Sequence, residues 1–179
     1  ALAANTSTNN TAIGYNALAA NTSGQFNTAV GQGAASANTT GVQNSIFGDN
    51  AFVTNTTGSY NTFVGGQDAV LGKAAGYTNT TGVGNTALGN GSLATNSTSN
   101  VNTAIGYAAL RQNTAADNTA LGAYAVLNNT SGAFNTGVGY SALNANTTAS
   151  ANTAVGYVAM NATTTGSSNT GLGFASLYT

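Results

Sequence analysis

Only five side chains of the 179-residue chain carry a formal charge, Asp49, Asp68, Lys73, Arg111 and Asp117, so any acid–base chemistry must be built from these. Asp49 and Asp68 stand 19 positions apart. A carboxylate pair is the minimum equipment for glycoside hydrolysis, one group as acid and one as base or nucleophile. Nothing in the surrounding sequence supplies the cations or imidazole that would tune such a pair, and the two aspartates read as turn residues. The chain has no His and no Cys. Imidazole and thiolate metal sites, Cys and His nucleophiles and disulfides are thereby excluded. Gly82-Val-Gly84 and Gly72-Lys73-Ala74 satisfy neither the dinucleotide fingerprint nor the phosphate-loop pattern. Calcium-binding nonapeptide rolls need an aspartate in every repeat, and three aspartates cannot provide that. The residues predict no enzyme, no metal and no cofactor.

Charged residues make up 3% of the chain, against about 25% in ordinary soluble domains. With a formal net charge of −1, the protein is a poor partner for nucleic acid or for anionic membrane. Uninterrupted apolar runs last only a few residues, far short of the roughly 20 that span a bilayer. The opening Ala-Leu-Ala-Ala-Asn-Thr-Ser has neither an initiating Met nor the basic and apolar regions of a signal peptide.

What organises the sequence is a repeat. Asn-Thr-Ala-(Ile/Val/Leu)-Gly and close variants begin at Asn10, Asn27, Asn44, Asn61, Asn85, Asn102, Asn118, Asn135, Asn152 and Asn169. The period is 17, broken once by 24 and once by 16. With the motif asparagine as position 1, the consensus is Asn-Thr-Ala-Val-Gly-Tyr-x-Ala-Leu-x-x-Asn-Thr-(Thr/Ser)-Gly-x-x. Position 4 is large and apolar in every copy: Ile13, Val30, Phe47, Val64, Leu88, Ile105, Leu121, Val138, Val155 and Leu172. Position 9 repeats the theme with Leu18, Ala35, Phe52, Ala69, Leu93, Leu110, Val126, Leu143, Met160 and Leu177. Both columns are expected to line a core. Positions 3 and 8 are mostly Ala, Gly or Ser.

Positions 2 to 4 are β-compatible, the glycine at position 5 permits a bend, and positions 6 to 9 read as a second strand. Asn-Thr-(Thr/Ser)-Gly at positions 12 to 15 has the chemistry of a turn. Seventeen residues are too few for a helical-hairpin repeat. The expected fold is therefore all-β, a β-solenoid of about ten coils over residues 1–179. Coils stacked at about 4.8 Å would give a rod roughly 50 Å long, with the position 1 asparagines in a ladder. Two large side chains per coil make a thin core. The small columns at positions 3 and 8 and the tyrosines at position 6 (Tyr15, Tyr107, Tyr140 and Tyr157, with Phe174) therefore predict a second buried surface and self-association along the rod axis; the alternative is a wide monomeric solenoid with the tyrosines exposed.

Asn-Thr-Ala-Ile-Gly-Tyr followed by Ala-Leu resembles the Ser-Val-Ala-Ile-Gly repeats in the YadA-like heads of trimeric autotransporter adhesins. Similar Asn-Thr-Ala-Val-Gly-Tyr arrays occur in bacterial surface proteins and phage tail-fibre proteins. The resemblance runs along essentially the whole chain, though those heads have a shorter period and Val where this chain has Thr. It implies a left-handed parallel β-roll, three chains side by side, at a cell surface or on a virion tail fibre. The expected function is that of an extracellular fibre protein, an adhesin head or shaft, or a phage receptor-binding module gripping host-surface glycan or protein.

Ala1 falls at position 8 and Thr179 at position 11, so both ends lie inside a repeat; an excerpt of a longer fibre, or subunits capping one another end to end, would each account for this. Seven extra residues fall within 66–78, where Asp68, Lys73 and Tyr77 mark a candidate interaction surface, because insertions in solenoids bulge on one face. The copy at 102–117 is one residue short. Glycosylation triplets at Asn5, Asn21, Asn38, Asn55, Asn79, Asn96, Asn129 and Asn146 recur because the turn recurs, and are expected to be unmodified. Regular threonines also raise ice binding. Thr at position 2 shares a strand face with the apolar core residue at position 4, so its hydroxyls are expected to point inward; threonines at positions 13 and 14 can still lie outside, and an ice-binding solenoid stays a minor alternative.

Overall fold

The computed structural model describes residues 1–178. It is a β-solenoid: ten three-residue strands form one parallel sheet in chain order, each pairing with the next turn of the chain. The strands are β1 (Thr11–Ile13), β2 (Thr28–Val30), β3 (Ser45–Phe47), β4 (Thr62–Val64), β5 (Thr86–Leu88), β6 (Thr103–Ile105), β7 (Thr119–Leu121), β8 (Thr136–Val138), β9 (Thr153–Val155) and β10 (Thr170–Leu172). Equivalent residues stand beside one another without slippage, as in Thr11↔Thr28, Ala12↔Ala29 and Ile13↔Val30. Register is also kept across the long repeat, where Thr62 faces Thr86, and across the short one, where Thr103 faces Thr119. No helix is long and apolar enough to cross a membrane among the described residues.

The strand parity corrects the expected core. In every coil the middle residue, position 3, is the more enclosed one, and positions 2 and 4 point away from the interior. Ala29, Ile46, Phe63, Ala87, Ala104, Ala120 and Ala154 are fully buried. The position 4 column, Ile13, Val30, Phe47, Val64, Leu88, Ile105, Leu121, Val138, Val155 and Leu172, lies on the outer face instead; Ile13 is 60% and Leu172 75% exposed. The reason is the size of the ring. Seventeen residues enclose so narrow a lumen that volume is shared across it: position 3 is alanine or glycine in eight coils, and the two larger residues, Ile46 and Phe63, stand within one coil of the small position 9 residues Ala35 and Gly76. Where position 3 is glycine the limit is visible: a Cβ on Gly137 would meet Val126 at 2.6 Å, and one on Gly171 would meet Met160 at 2.6 Å.

Position 9 supplies the large buried side chains, among them Leu18, Phe52, Leu93, Leu110, Val126, Leu143 and Met160. The limb that carries them is not the second strand expected at positions 6 to 9. It is a run of turns. Position 9 itself is left-handed in these coils, with φ of 48° at Leu18, 47° at Leu93 and 53° at Leu143. A left-handed non-glycine residue costs about 1–2 kcal/mol, which the burial of a leucine, about 1.5–3 kcal/mol, offsets. The limb nevertheless bonds from coil to coil: the N–H of Leu18 donates to Ala34 O at 3.0 Å, and that of Ala20 to Ser36 O at 3.0 Å. Glycine at position 5 is required by close approach. Gly14 has φ +126°, and a Cβ there would stand 2.5 Å from the carbonyl oxygen of Gly31 in the next coil.

The seven extra residues are 68–74, placed between positions 7 and 8. The N–H of Phe52 donates to Ala75 O and that of Gly76 to Ser92 O, which are the bonds of positions 8 and 9. Ala69, assigned above to the core column, is therefore exposed in the inserted loop, and Gly76 takes its place. The missing side chain is replaced from across the lumen by the ring of Phe63, which a Cβ on Gly76 would meet at 2.7 Å. Phe63 in turn packs on Phe52, with ring centroids 4.8 Å apart.

Two truncations test this parity. Leu143→Ala should cost about 2–5 kcal/mol as a cavity forms in the lumen, whereas Val138→Ala in an isolated chain should cost under about 1 kcal/mol. Denaturant melts of the two variants would reveal a reversed order if position 4 were the core.

Candidate functional site

Three kinds of polar column run along the rod, and they define which surfaces are spoken for. In the first, each position 1 asparagine accepts at Oδ1 from the backbone N–H of its successor. Asn27 N–H reaches Asn10 at 2.9 Å, Asn44 reaches Asn27 at 3.0 Å, Asn61 reaches Asn44 at 3.1 Å and Asn85 reaches Asn61 at 2.9 Å. The series continues through Asn102, Asn118, Asn135, Asn152 and Asn169 at 2.9–3.0 Å. The amide of the same side chain closes its own coil: Asn27 Nδ2 donates to Gly41 O at 2.8 Å, and Asn44 Nδ2 to Gly58 O at 2.9 Å.

The second ladder escaped the sequence reading. The position 12 asparagines of the Asn-Thr-(Thr/Ser)-Gly turns are buried, not exposed, and bond to one another: Asn38 to Asn21 at 2.8 Å, Asn55 to Asn38 at 2.6 Å, Asn129 to Asn113 at 2.7 Å and Asn146 to Asn129 at 2.8 Å. Their exact recurrence eight positions from the apolar column was the available signal. It was masked because Asn-Thr-x-Gly also reads as a surface turn. Asn21, Asn38, Asn55, Asn79, Asn96, Asn129 and Asn146 are inaccessible, and the acceptor amide nitrogens of these glycosylation triplets are committed as donors inside the rod. The third column is exposed: position 13 threonines such as Thr22 and Thr39 donate to the carbonyl of the equivalent residue in the next coil, at 3.1 and 2.9 Å.

Where a repeat departs from the pattern, a buried oxygen is left without a partner. Asn96 Oδ1 is one: the donor due to it, Asn113 Nδ2, turns to Ala115 O at 2.6 Å within the short coil. Asn146 Oδ1 is a second, because position 12 of the following coil is Thr163; Ser176 Oγ, in the last coil, is a third.

Three outward surfaces remain, one of them the position 17 corner before the strand, where Phe26, Tyr60, Val101 and Phe134 are exposed; the other two carry continuous columns. One is the sheet face, carrying the position 4 apolar column and, beside it, Thr11, Thr28, Ser45, Thr62, Thr86, Thr103, Thr119, Thr136, Thr153 and Thr170 of position 2. The shared face of positions 2 and 4 is as expected, but it is the outer face, so the ground given for setting ice binding aside fails.

The other surface is the edge beyond the glycine bend. Tyr107, Tyr124, Tyr140, Tyr157 and Phe174 form a continuous file there, with successive centroids 5.5, 5.8, 5.4 and 5.3 Å apart. Four of the five rings occupy position 6; Tyr124 is at position 7 and joins from the neighbouring site. The inserted loop reaches the head of this file. Asp68 Oδ1 accepts from the N–H groups of Val70 at 2.5 Å and Leu71 at 2.9 Å, and Gly72 N–H donates to Asp68 O at 2.8 Å. The N–H groups of Leu71 and Val70 hold the Asp68 carboxyl below its ordinary value, aided by the nearby Tyr107 hydroxyl and the charge of Arg111. Desolvation and the Asp68 carboxylate push the Tyr107 phenol up.

The two irregular copies are thus brought together, since Asp68 belongs to the insertion and Tyr107 and Arg111 to the short coil. Tyr77, expected with them, instead packs partly buried against the core, and its carbonyl accepts from Thr54 Oγ1 at 2.8 Å. Lys73 sits in the loop without entering this cluster. Asp49 lies at position 6 of an earlier coil. Among the described residues there is no pocket and no group of three or more metal-ligating side chains. No family model, curated protein or solved structure matches the chain.

Thr163→Asn should extend the second ladder to Asn146 Oδ1, raising stability by about 1 kcal/mol and with it the melting temperature; an unchanged or lower Tm would refute the assignment. Asp68→Asn should bring the Tyr107 phenol back down toward the usual value near 10, read by ultraviolet titration. Because the folded carboxyl of Asp68 is depressed, its contribution to holding the loop is present above about pH 4. It is lost as pH falls through the folded value, and amide exchange at Val70 and Leu71 should quicken there.

Proposed function

We propose that the chain is a structural segment of an extracellular fibre, an adhesin head or shaft, whose copies pack side by side through the outer sheet face. The observation that supports this best is the position 4 column, ten large apolar side chains in a row on an uncharged parallel sheet, outside the coil that carries them. Ten three-residue strands at about 4.8 Å spacing and about 3.3 Å per residue give a flat face on the order of 500 Å², more than half of the roughly 800 Å² each partner contributes to a standard stable interface before the relief of its side chains adds to it. Three parallel chains in register, the arrangement that the resemblance to YadA-like heads implies, would bring these columns together around one axis. The same assembly would serve at a cell surface or in a phage tail fibre.

A second reading follows from the Thr column. Its hydroxyls make no side-chain hydrogen bonds within the chain and stand one strand spacing apart beside an aliphatic row, an array able to order water as ice does. It requires the face to be free in solution, so one measurement separates the two.

Ile105→Asp combined with Val138→Asp should reduce the assembly to single chains, by light scattering, while leaving the β-rich circular dichroism spectrum in place. A wild-type protein that is already a single chain and shows thermal hysteresis would favour the ice-binding reading. An assembly whose mass is unaltered by the double substitution would overturn the proposed interface.

A further inference from the structure

The aromatic file is not required by the coil. In the first half of the rod position 6 is filled by Tyr15, Gln32, Asp49, Gly66 and Asn90, and the coils close in the same way. Rings become continuous only from Tyr107 onward, where Asp68 of the inserted loop meets the file. They are accessible: Tyr140, Tyr157 and Phe174 are exposed by 46%, 51% and 78%. The last two pairs are near parallel, at 12° and 7°, with centroids 5.4 and 5.3 Å apart. At that separation parallel rings are offset, not sandwiched, so each leaves part of its face and its outer edge to solvent. From Tyr107 to Phe174 the file carries no formal charge, and its polar groups are phenol hydroxyls.

We propose that this edge binds a linear, uncharged, β-linked polysaccharide laid along the rod, one sugar per coil. The argument is commensurability and chemistry together. The advance along the rod is the coil rise of about 4.8 Å, shorter than the slanted ring-to-ring distances of 5.3–5.8 Å; it falls a little below the advance per residue of an extended β-1,4-linked chain, so successive sugars can follow the rings over these five coils with a small drift and not over an indefinite length. Apolar C–H faces of the sugar suit exposed aromatic surface, and the phenol hydroxyls reach the sugar's own hydroxyls; a tyrosine presents both at once. The neutrality of the file excludes an acidic glycan as the preferred ligand. The inserted loop lies at the head of the track, where its Leu71 covers Gly91, one coil before Tyr107. This inference does not depend on the fibre reading, because the file lies beyond the bend that ends the sheet face.

The test uses the full chain with cellohexaose and chitohexaose in titration calorimetry, and with insoluble cellulose and chitin in sedimentation. At least one of these four should be bound by the wild type, and Tyr140→Ala combined with Tyr157→Ala should weaken binding about tenfold or more. Gln43→Ala, on the other side of the strand, should leave it unchanged. Absence of binding to all four probes, or undiminished binding by the double variant, would overturn the proposal. So would a change in oligomeric mass in the double variant, since the file would then be a contact between copies. Failure of the fibre reading would appear separately, as a single-chain mass for a wild type that still binds.

Discussion

Every coil depends on one bond, from the backbone N–H of a position 1 asparagine to the side-chain oxygen of the asparagine one turn earlier. A ring of 17 residues has almost no interior, yet its corners bring backbone N–H and C=O groups out of reach of water. Leaving one unpaired costs about 1–3 kcal/mol, repeated in each coil. Asparagine meets the need because its oxygen accepts along the rod while its nitrogen donates across the coil to the closing turn. Aspartate of the same length would bring a buried charge and lose the donor. The near absence of charge accords with the same geometry: both asparagines of the motif face inward, where neutral amides can be paired and charges cannot.

The narrow interior also explains what could be read from the sequence and what could not. The period, the all-β solenoid, the in-register stacking and the apolar run at position 9 follow from spacing alone, and in the structure Leu110 and Leu143 sit where that spacing puts them. Size is a poor guide to burial at position 4. In a wide core it serves, but here the lumen is filled by the position 9 side chains and mostly alanine at position 3, and Ala104 is inside while Ile105 is on the outer face. Period two fixes which residues share a face without fixing which face is inner. The second strand failed for another reason: a left-handed conformation at Leu or Met is too unfavourable locally to be expected from propensity, and only the stacked neighbours sustain it.

Stacking also determines how irregular copies are tolerated. Each coil contacts only its neighbours, so a defect has to be absorbed within one step. The insertion is absorbed by extruding 68–74 and exchanging volume across the lumen, Phe63 filling what Gly76 leaves empty. The short coil is absorbed less completely. Its sheet register is intact, but Asn113 no longer reaches Asn96, and the second ladder is interrupted there. That the extruded loop leans on this same coil, through Asp68 and Tyr107, could not be read from a one-dimensional pattern, since the two segments are about two periods apart along the chain.

The outer face carries two columns whose demands conflict. A water-ordering plane needs free hydroxyls and a level surface; an interface between copies needs apolar area and tolerates relief that its partner repeats. Thr at nine of ten position 2 sites satisfies the first demand. The neighbouring column does not, because Phe47 stands between Val30 and Val64 in the same row and raises a bulky ring where a flat lattice would have to pass. In copies packed in register the same ring meets its own equivalents at one level, so an irregularity along the rod becomes a match across it. The relief of the apolar column, more than its hydrophobicity, is what weighs toward a second copy of this chain as its partner.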